Sequence, residues 1–201
     1  MKLYGSLTSP YVRKIRALIA EKGIDCPFEV VDPHAPDSPV PQYNPLGLVP
    51  ALARDDAPVL FDSPVIAEYL DSLRAPALIP PAGEARWQVL RIAALADGIL
   101  DQAVARTLEL RRPEAERSAA ANRRREDKIA RALAAAEGEL SDGTYLVASR
   151  LTLADLALAV ALEYVDFRYP HDWRARHPRL AEWHERIRAR PSLAGTRPPS
   201  A

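Results

Sequence analysis

Asn44-Pro45-Leu46-Gly47-Leu48-Val49-Pro50-Ala51-Leu52 is the stretch of this 201-residue chain from which the fold can be argued. Its prolines and glycine predict a turn, and the apolar run that begins at Pro50 favours a short strand. A cis bond between Val49 and Pro50 would leave the backbone N–H and C=O of Val49 free to pair with an extended ligand. A rigid turn into a strand explains the same residues equally well.

Short elements surround this stretch within the first 75 residues. Residues 2–4 predict a strand, and residues 11–22 carry apolar side chains at helical spacing before Gly23. Two more strands are expected at residues 28–31 and 59–61, with a loop of little helix over residues 32–47. A helix is expected to begin at Ser63-Pro64. This order is typical of an α/β domain, which we assign to residues 1–75.

The rest of the chain predicts helices only. A proline-containing linker at residues 76–84 precedes apolar stripes with three- and four-residue steps over residues 89–103, 129–140 and 180–187. Residues 153–164 are apolar nearly all round, which indicates a buried central helix. Pro191 is expected to end the last helix, and the tail from Thr196 onward is expected to be loose. We therefore expect an all-helical domain over residues 85–201.

Composition excludes several classes of protein. The chain has 27 basic residues, 27 acidic residues, 48% hydrophobic residues and one cysteine. Zero formal net charge gives no general reason to expect binding to nucleic acid or to an anionic membrane. One cysteine excludes an internal disulfide and any zinc site built from several cysteines. The N-terminus lacks the apolar core of a signal peptide, so we expect a soluble cytoplasmic protein.

Two further motifs lie where a helix is expected to begin. Ser9 would be the N-cap of the first helix with Pro10 at its first position, and Asp62-Ser63 would begin a later helix. The N–H groups at a helix N-terminus favour a negative charge, such as a thiolate against the Ser9 hydroxyl or an α-carboxylate beside Ser63. Plain capping explains each motif when it is taken alone.

Taken together, the three motifs resemble those of the glutathione S-transferase superfamily, and the resemblance covers essentially the whole chain. That family has an S-P-x or C-P-x motif at its first helix, an N-P-x-G-x-V-P-x-L segment with a cis-proline, and an E/D-S pair at its third helix. The resemblance implies a thioredoxin-like N-terminal domain followed by an all-helical C-terminal bundle. Thr152 and Asp155 match the capping box that begins the buried helix of that bundle, which is a structural role.

The resemblance also implies a glutathione site without a metal. The backbone of Val49, followed by Pro50, would pair with the cysteinyl part of the tripeptide. Asp62 and Ser63 would hold the γ-glutamyl end. Ser9 would be the catalytic residue, because its hydroxyl would donate a hydrogen bond to the sulfur and favour the thiolate.

Four residues are candidate auxiliary members of this site. Thr8 is the rival of Ser9 for the hydroxyl role, and Tyr11 completes the motif at the first helix. Arg13 either adds positive charge near the sulfur or faces solvent. Arg106 either attracts an anionic co-substrate or belongs to a solvated helix face.

The implied activity is that of a serine-type, bacterial-like cytosolic glutathione transferase that conjugates glutathione to a small electrophile in detoxification, as a homodimer. A close variant would use the same thiolate for dehalogenation or peroxide reduction. Cysteine-type members exchange disulfides, which requires a sulfur where this chain has Ser9, and we interpret Cys26 as a packed residue. The alternative from another class is a non-catalytic binding or regulatory protein with the same fold.

Overall fold

The computed structural model describes residues 1–140, 144–169 and 171–199, which fold into two compact units. The first unit is Met1–Ile79 together with Pro191–Ala201, and the second is Pro80–Arg190. The first unit has the thioredoxin-like mixture of helices and a sheet, and the described part of the second contains helices without strands. The predicted fold class is therefore confirmed.

A four-stranded sheet in the order β2-β1-β3-β4 forms the centre of the first unit. Its strands are β1 (Lys2–Gly5), β2 (Phe28–Val30), β3 (Ala51–Arg54) and β4 (Ala57–Leu60). β1 pairs in parallel with β2, and the other two pairings are antiparallel. The helices of this unit are α1 (Pro10–Lys22), the short α2 (Val40–Tyr43) and α3 (Ser63–Ser72). α1 packs against α3, and α2 is the small amount of helix in the segment predicted as a loop.

Side-chain alternation along β1 and β3 explains how the sheet is covered. Successive side chains of a strand point to opposite faces of the sheet. Leu3 lies opposite Leu52, and both are completely buried. Tyr4, on the other face, stacks on Tyr43 of α2 with ring centroids 4.0 Å apart. The centre of the sheet, in β1 and the start of β3, is therefore buried on both faces, whereas the edge strands β2 and β4 are largely exposed.

A buried ion pair extends the first unit beyond the predicted boundary at residue 75. Lys22 Nζ lies 2.7 Å from Asp71 Oδ1 and also donates to the carbonyl of Pro76 at 2.8 Å. The Asp71 carboxylate accepts the backbone N–H groups of Leu78 at 2.7 Å and Ile79 at 2.8 Å. These bonds hold the start of the predicted linker against α1 and α3. The first unit consequently runs to Ile79.

The second unit consists of α4 (Glu84–Arg111), α5 (Ala119–Gly138), α6 (Leu153–Arg168) and α7 (Pro178–Arg188), with a 3₁₀ turn at Glu114–Glu116. α4 packs against both α5 and α6. α6 is buried along most of its length, so the predicted central helix is confirmed. No helix in the described part of the chain is long and apolar enough to cross a membrane.

Asp155 anchors the N-terminus of α6. Its Oδ2 atom accepts both the N–H and the hydroxyl of Thr152, each at 2.8 Å, within the capping box of that helix. Its Oδ1 atom accepts the N–H of Leu146 at 2.9 Å. Burial raises the pKa of Asp155, and these hydrogen bonds oppose the rise.

The C-terminal segment returns to the first unit, whereas the sequence placed it with the helical domain at residues 85–201. α7 already ends at Arg188, and Pro191 begins the short helix α8 (Pro191–Ala194), which packs against α1. Ser192 Oγ lies 2.5 Å from Glu21 Oε1 of α1. Thr196, expected to be loose, is buried, and its hydroxyl donates to the carbonyl of Ser192 at 2.8 Å.

Replacing Asp155 with alanine should lower the free energy of unfolding by about 3 kcal/mol, because two buried N–H groups and one hydroxyl lose their acceptor. Asp127→Ala, an exposed substitution on α5, should change it by less than about 0.5 kcal/mol. Urea unfolding followed by circular dichroism measures both values. Equal effects of the two variants would contradict the anchoring role of Asp155.

Candidate functional site

The register of the sheet brings the three sequence motifs to one end of it. Tyr4 of β1 lies opposite Ala51 of β3, so the loop that leaves β1 begins beside the segment that precedes β3. Leu52 lies opposite Leu60, so β4 ends at the same place before it leads into α3. Neighbouring strands are about 4.8 Å apart. The loops before α1, before β3 and before α3 are therefore neighbours.

Gly5 allows α1 to begin close to the end of β1. A Cβ atom built on Gly5 would lie only 2.4 Å from Cγ2 of Val12, a residue of the first turn of α1. Any side chain at this position would push the helix away from the strand. The glycine therefore positions the N-terminus of α1, and Ser9 with it, at the end of the sheet.

Ser9 is the N-cap of α1. Its backbone is extended, with φ −75° and ψ 123°, and its Oγ atom accepts the N–H of Val12 at 3.3 Å. Because the hydroxyl acts as an acceptor in this bond, its own hydrogen remains available to a ligand. Thr8 is exposed and Tyr11 is half-buried. Together with Ser9, they place three polar side chains near the start of α1.

The backbone of Val49 offers a donor and an acceptor at the start of β3. The bond between Val49 and Pro50 is cis. Within residues 1–140, 144–169 and 171–199, neither the N–H nor the C=O of Val49 has a hydrogen-bond partner. The Val49 side chain packs against the buried cluster of Tyr4 and Val40. A fixed residue with an unused N–H and C=O is what an extended peptide requires for strand-like pairing.

Asn44 holds the loop that presents Val49, a role that sequence reasoning missed. Its side chain is buried, donates to the carbonyl of Leu48 at 2.9 Å and accepts the N–H of Leu46 at 3.0 Å. Gly47, at φ +67°, supplies the left-handed backbone that this turn requires. An asparagine at the first position of a turn is a signal for such bonding, because its side chain can accept the N–H two residues further on, and it was present in the sequence.

Asp62 and Ser63 form the N-terminus of α3. The exposed Asp62 carboxylate accepts the N–H of Ser63 and caps the helix. Ser63 is only 1% exposed, and its Oγ atom is buried without a hydrogen-bond partner in the described part of the chain. A buried hydroxyl without a partner is costly in a folded protein, so this position indicates a ligand group.

Arg13 and Arg106 have protein partners. Arg13 is 4% exposed, so its side chain does not face solvent, which was one of the two orientations considered from the sequence. Its guanidinium donates to the carbonyl of Leu193 in α8 at 3.1 Å. Arg106 belongs to the second unit, where its Nε atom lies 2.7 Å from Glu126 Oε1. The structure thus brings together Ser9, Val49, Pro50, Asp62 and Ser63 in the first unit.

Burial makes Cys26 and His184 poor candidates for a catalytic role. Cys26 is half-buried after α1, and burial raises the pKa of its thiol, which makes it a poor nucleophile. His184 is completely buried in α7, and this burial lowers its pKa to about 4. Among the described residues, no three His, Cys, Asp or Glu side chains are grouped as metal ligands would be.

Comparison with protein families matches both units. Residues 3–78 match the glutathione S-transferase N-terminal domain, and residues 119–186 match the glutathione S-transferase C-terminal domain. The chain is 42% identical over 203 residues to the GST-like protein YibF of Escherichia coli (strain K12), and the alignment covers all of both chains.

Solved structures agree with this likeness. A glutathione S-transferase from Methylobacillus flagellatus KT, solved with glutathione bound, has a TM-score of 0.94 and 39% identity, with 98% of each chain covered. A glutathione transferase family member from Pseudomonas fluorescens Pf-5 has bound glutathione in one structure, with a TM-score of 0.91, 42% identity and 98% of each chain covered. A second structure of a Pf-5 family member, with S-(propanoic acid)-glutathione, has a TM-score of 0.88 and 40% identity and covers 98% and 99% of the two chains.

Replacing Ser63 with alanine should leave the free energy of unfolding unchanged or raise it by up to about 1 kcal/mol, because it removes a buried hydroxyl that no group satisfies. The matched control is Ser192→Ala, which deletes a buried hydroxyl paired with Glu21 and should cost about 1.5 kcal/mol. Urea unfolding in the absence of ligand measures both. An equal loss in the two variants would show that Ser63 has a protein partner.

Proposed function

The chain belongs to the glutathione S-transferase family, and from this premise we propose that it is a glutathione transferase. Its first unit would bind glutathione as co-substrate, favour ionisation of the thiol and let the sulfur attack a small electrophile. The proposed product is a thioether between glutathione and an alkyl or aryl group. No metal takes part in this proposal.

One observation carries the proposal, namely that four polar groups with unused hydrogen-bonding capacity lie at one end of the sheet. They are the N–H and C=O of Val49, the buried hydroxyl of Ser63 and the Ser9 hydroxyl at the start of α1. Glutathione has matching groups in the same order: an extended cysteinyl backbone, a γ-glutamyl end with a carboxylate and an ammonium group, and a thiol. Asp62 supplies the negative charge that suits the ammonium group.

The proposed chemistry follows from charge at the sulfur. A free thiol has a pKa of about 8.5 and is mostly protonated at neutral pH, whereas the thiolate is the nucleophile. A hydrogen bond from Ser9 and the positive end of α1 both stabilise the anion. Lowering the pKa by two units requires only about 2.7 kcal/mol. The thiolate then bonds to the electrophilic carbon, the leaving group departs with its electron pair, and the thiol proton is released to solvent.

Neighbouring structures support conjugation as the reaction. The Pf-5 family member holds S-(propanoic acid)-glutathione, in which a carbon chain is bonded to the sulfur. A site of that kind has room for the substituent that conjugation would add. The thiol–disulfide variant has no such support, because Ser9 stands where a second sulfur is needed and the pKa of Cys26 is raised by burial.

The non-catalytic alternative differs in what it demands of the site. A scaffold that only binds a partner has no physical need for a buried, unsatisfied hydroxyl at Ser63 or for a hydroxyl at Ser9. Failure of the protein to bind glutathione in calorimetry would favour the scaffold. We also propose that the protein is a homodimer and that it acts in the cytoplasm in detoxification. Sedimentation equilibrium tests whether it is a homodimer.

Replacing Ser9 with alanine should raise the pKa of the bound thiol by about one unit and lower kcat about tenfold or more, because a charge-assisted hydrogen bond to the sulfur is lost. The thiolate absorbance in the glutathione complex gives the pKa. Ser9→Gly is the second variant. It also removes the hydroxyl, but glycine is tolerated as an N-cap and lowers the free energy of unfolding by only about 0.3 kcal/mol.

Thr8→Val distinguishes the two candidate hydroxyl groups. If Thr8→Val abolishes conjugation and Ser9→Ala does not, the catalytic hydroxyl is that of Thr8. If neither variant changes the thiol pKa while glutathione still binds, the site stands and the assigned role of Ser9 is wrong.

A further inference from the structure

The C-terminal segment contacts α1 next to the residue that the proposed chemistry uses. The guanidinium of Arg13 donates to the backbone carbonyl of Leu193 in α8 at 3.1 Å, and this bond is buried. Arg13 lies one turn after Ser9, and its own backbone N–H donates to the Ser9 carbonyl at 3.0 Å. A short chain of hydrogen bonds therefore joins α8 to the N-cap of α1, and all of it lies in the first unit.

The short helix α8 is itself held in place. With four residues it is too short to be stable as an isolated helix. The Thr196 hydroxyl donates to the carbonyls of Ser192 at 2.8 Å and Leu193 at 3.3 Å, and the Leu193 side chain is completely buried. Ser192 is bonded to Glu21, which lies about 12 Å further along the axis of α1 than Arg13. The position of α8 is thus fixed against both ends of α1.

The bond from Arg13 is directional, unlike the apolar contacts of α1. Removing a guanidinium from water is costly, so an apolar side chain would fill the same space at a lower cost in free energy. Val12, Ile15 and Leu18 already supply buried apolar surface on this helix. Apolar contacts have no preferred direction, whereas a hydrogen bond has a preferred length and angle. The Arg13 bond therefore restricts the position of the first turn of α1 more closely than apolar packing does.

The sheet holds the same turn through the neighbouring residue. Val12 lies so close to Gly5 of β1 that a Cβ atom on this glycine would be 2.4 Å from Cγ2 of Val12. The N–H of Val12 donates to Ser9 Oγ at 3.3 Å. Ser9 is consequently bonded through its side chain to a residue that packs on the sheet, and through its carbonyl to a residue that α8 holds.

We propose that α8, through Arg13, positions the Ser9 hydroxyl for its hydrogen bond to the glutathione sulfur. Arg13 is a positioning residue in this inference, and it acts through Ser9 rather than through its own charge. The inference rests on the proposed function, because it assigns what supports that same site. It makes the C-terminal segment, which follows the whole second unit in sequence, a working part of the glutathione site.

Arg13→Met removes the guanidinium and keeps an unbranched side chain of similar bulk. We expect it to raise the pKa of the bound thiol by about 0.5 unit, about half the effect of deleting the Ser9 hydroxyl. At about pH 5.5, below the thiol pKa, kcat with 1-chloro-2,4-dinitrobenzene should then fall about threefold, because less thiolate is present. KM for glutathione should stay within about twofold, since Val49 and Ser63 are unaltered. An unchanged thiol pKa would overturn the inference.

Ser192→Ala is the matched control. It removes the bond of α8 to Glu21, far from Ser9, and it should also lower the free energy of unfolding. The thiol pKa should nevertheless stay within about 0.2 unit of the wild-type value. Equal pKa shifts in Ser192→Ala and Arg13→Met would overturn the inference, because overall stability rather than the Arg13 bond would then set the pKa.

A double-mutant cycle with Ser9→Ala separates positioning from a direct effect of charge. If Arg13 acts through the Ser9 hydroxyl, adding Arg13→Met to Ser9→Ala should change the thiol pKa by less than about 0.2 unit. If the positive charge of Arg13 acts on the sulfur directly, Arg13→Met should raise the pKa equally with and without the hydroxyl. That second result would overturn the inference.

Hydrogen exchange without glutathione separates this inference from the proposed function. The Val12 N–H is held by Ser9 Oγ, so its exchange rate reports whether that oxygen stays in place. We expect Arg13→Met to raise this rate about threefold or more, measured by NMR on the full-length protein, and Ser192→Ala to change it by less than about 1.5-fold. An unchanged rate in Arg13→Met would refute the positioning role, while failure of the wild type to bind glutathione would refute only the proposed function.

Discussion

The antiparallel pairing of β1 with β3 determines where the candidate site forms. With Tyr4 opposite Ala51, the cis bond before β3 lies beside the end of β1, where the chain turns into α1. A slip of β3 by one residue would put Leu52 on the opposite face of the sheet from Leu3, so the hydrophobic pattern fixes this register. The position of Val49 relative to Ser9 is therefore a consequence of core packing.

Much of this arrangement could be predicted from the sequence because its signals are local. The prolines at positions 10 and 50, the capping residues Ser9 and Asp62, and the apolar run of α6 each indicate their structure within a few residues. The order of elements followed from them, and with it the fold class. β4 begins two residues before the strand predicted at residues 59–61, because a short apolar run does not determine where strand pairing begins.

The remaining features depend on contacts between residues that are distant in sequence. Nothing near Pro191 indicates that α8 returns to α1, because the carbonyl of Leu193 and the side chain of Arg13 are 180 positions apart. In the same way, the sequence shows an Asp-Ser pair but not that the Ser63 hydroxyl is buried without a partner.

A crystal structure of the protein with glutathione tests the central claim most directly. The account predicts that the N–H and C=O of Val49 each lie about 3 Å from the cysteinyl backbone of the tripeptide. It also predicts that the Ser63 hydroxyl contacts the γ-glutamyl end and that the sulfur faces Ser9. Glutathione bound elsewhere, with Val49 still unpaired and the Ser63 hydroxyl still unsatisfied, would contradict it.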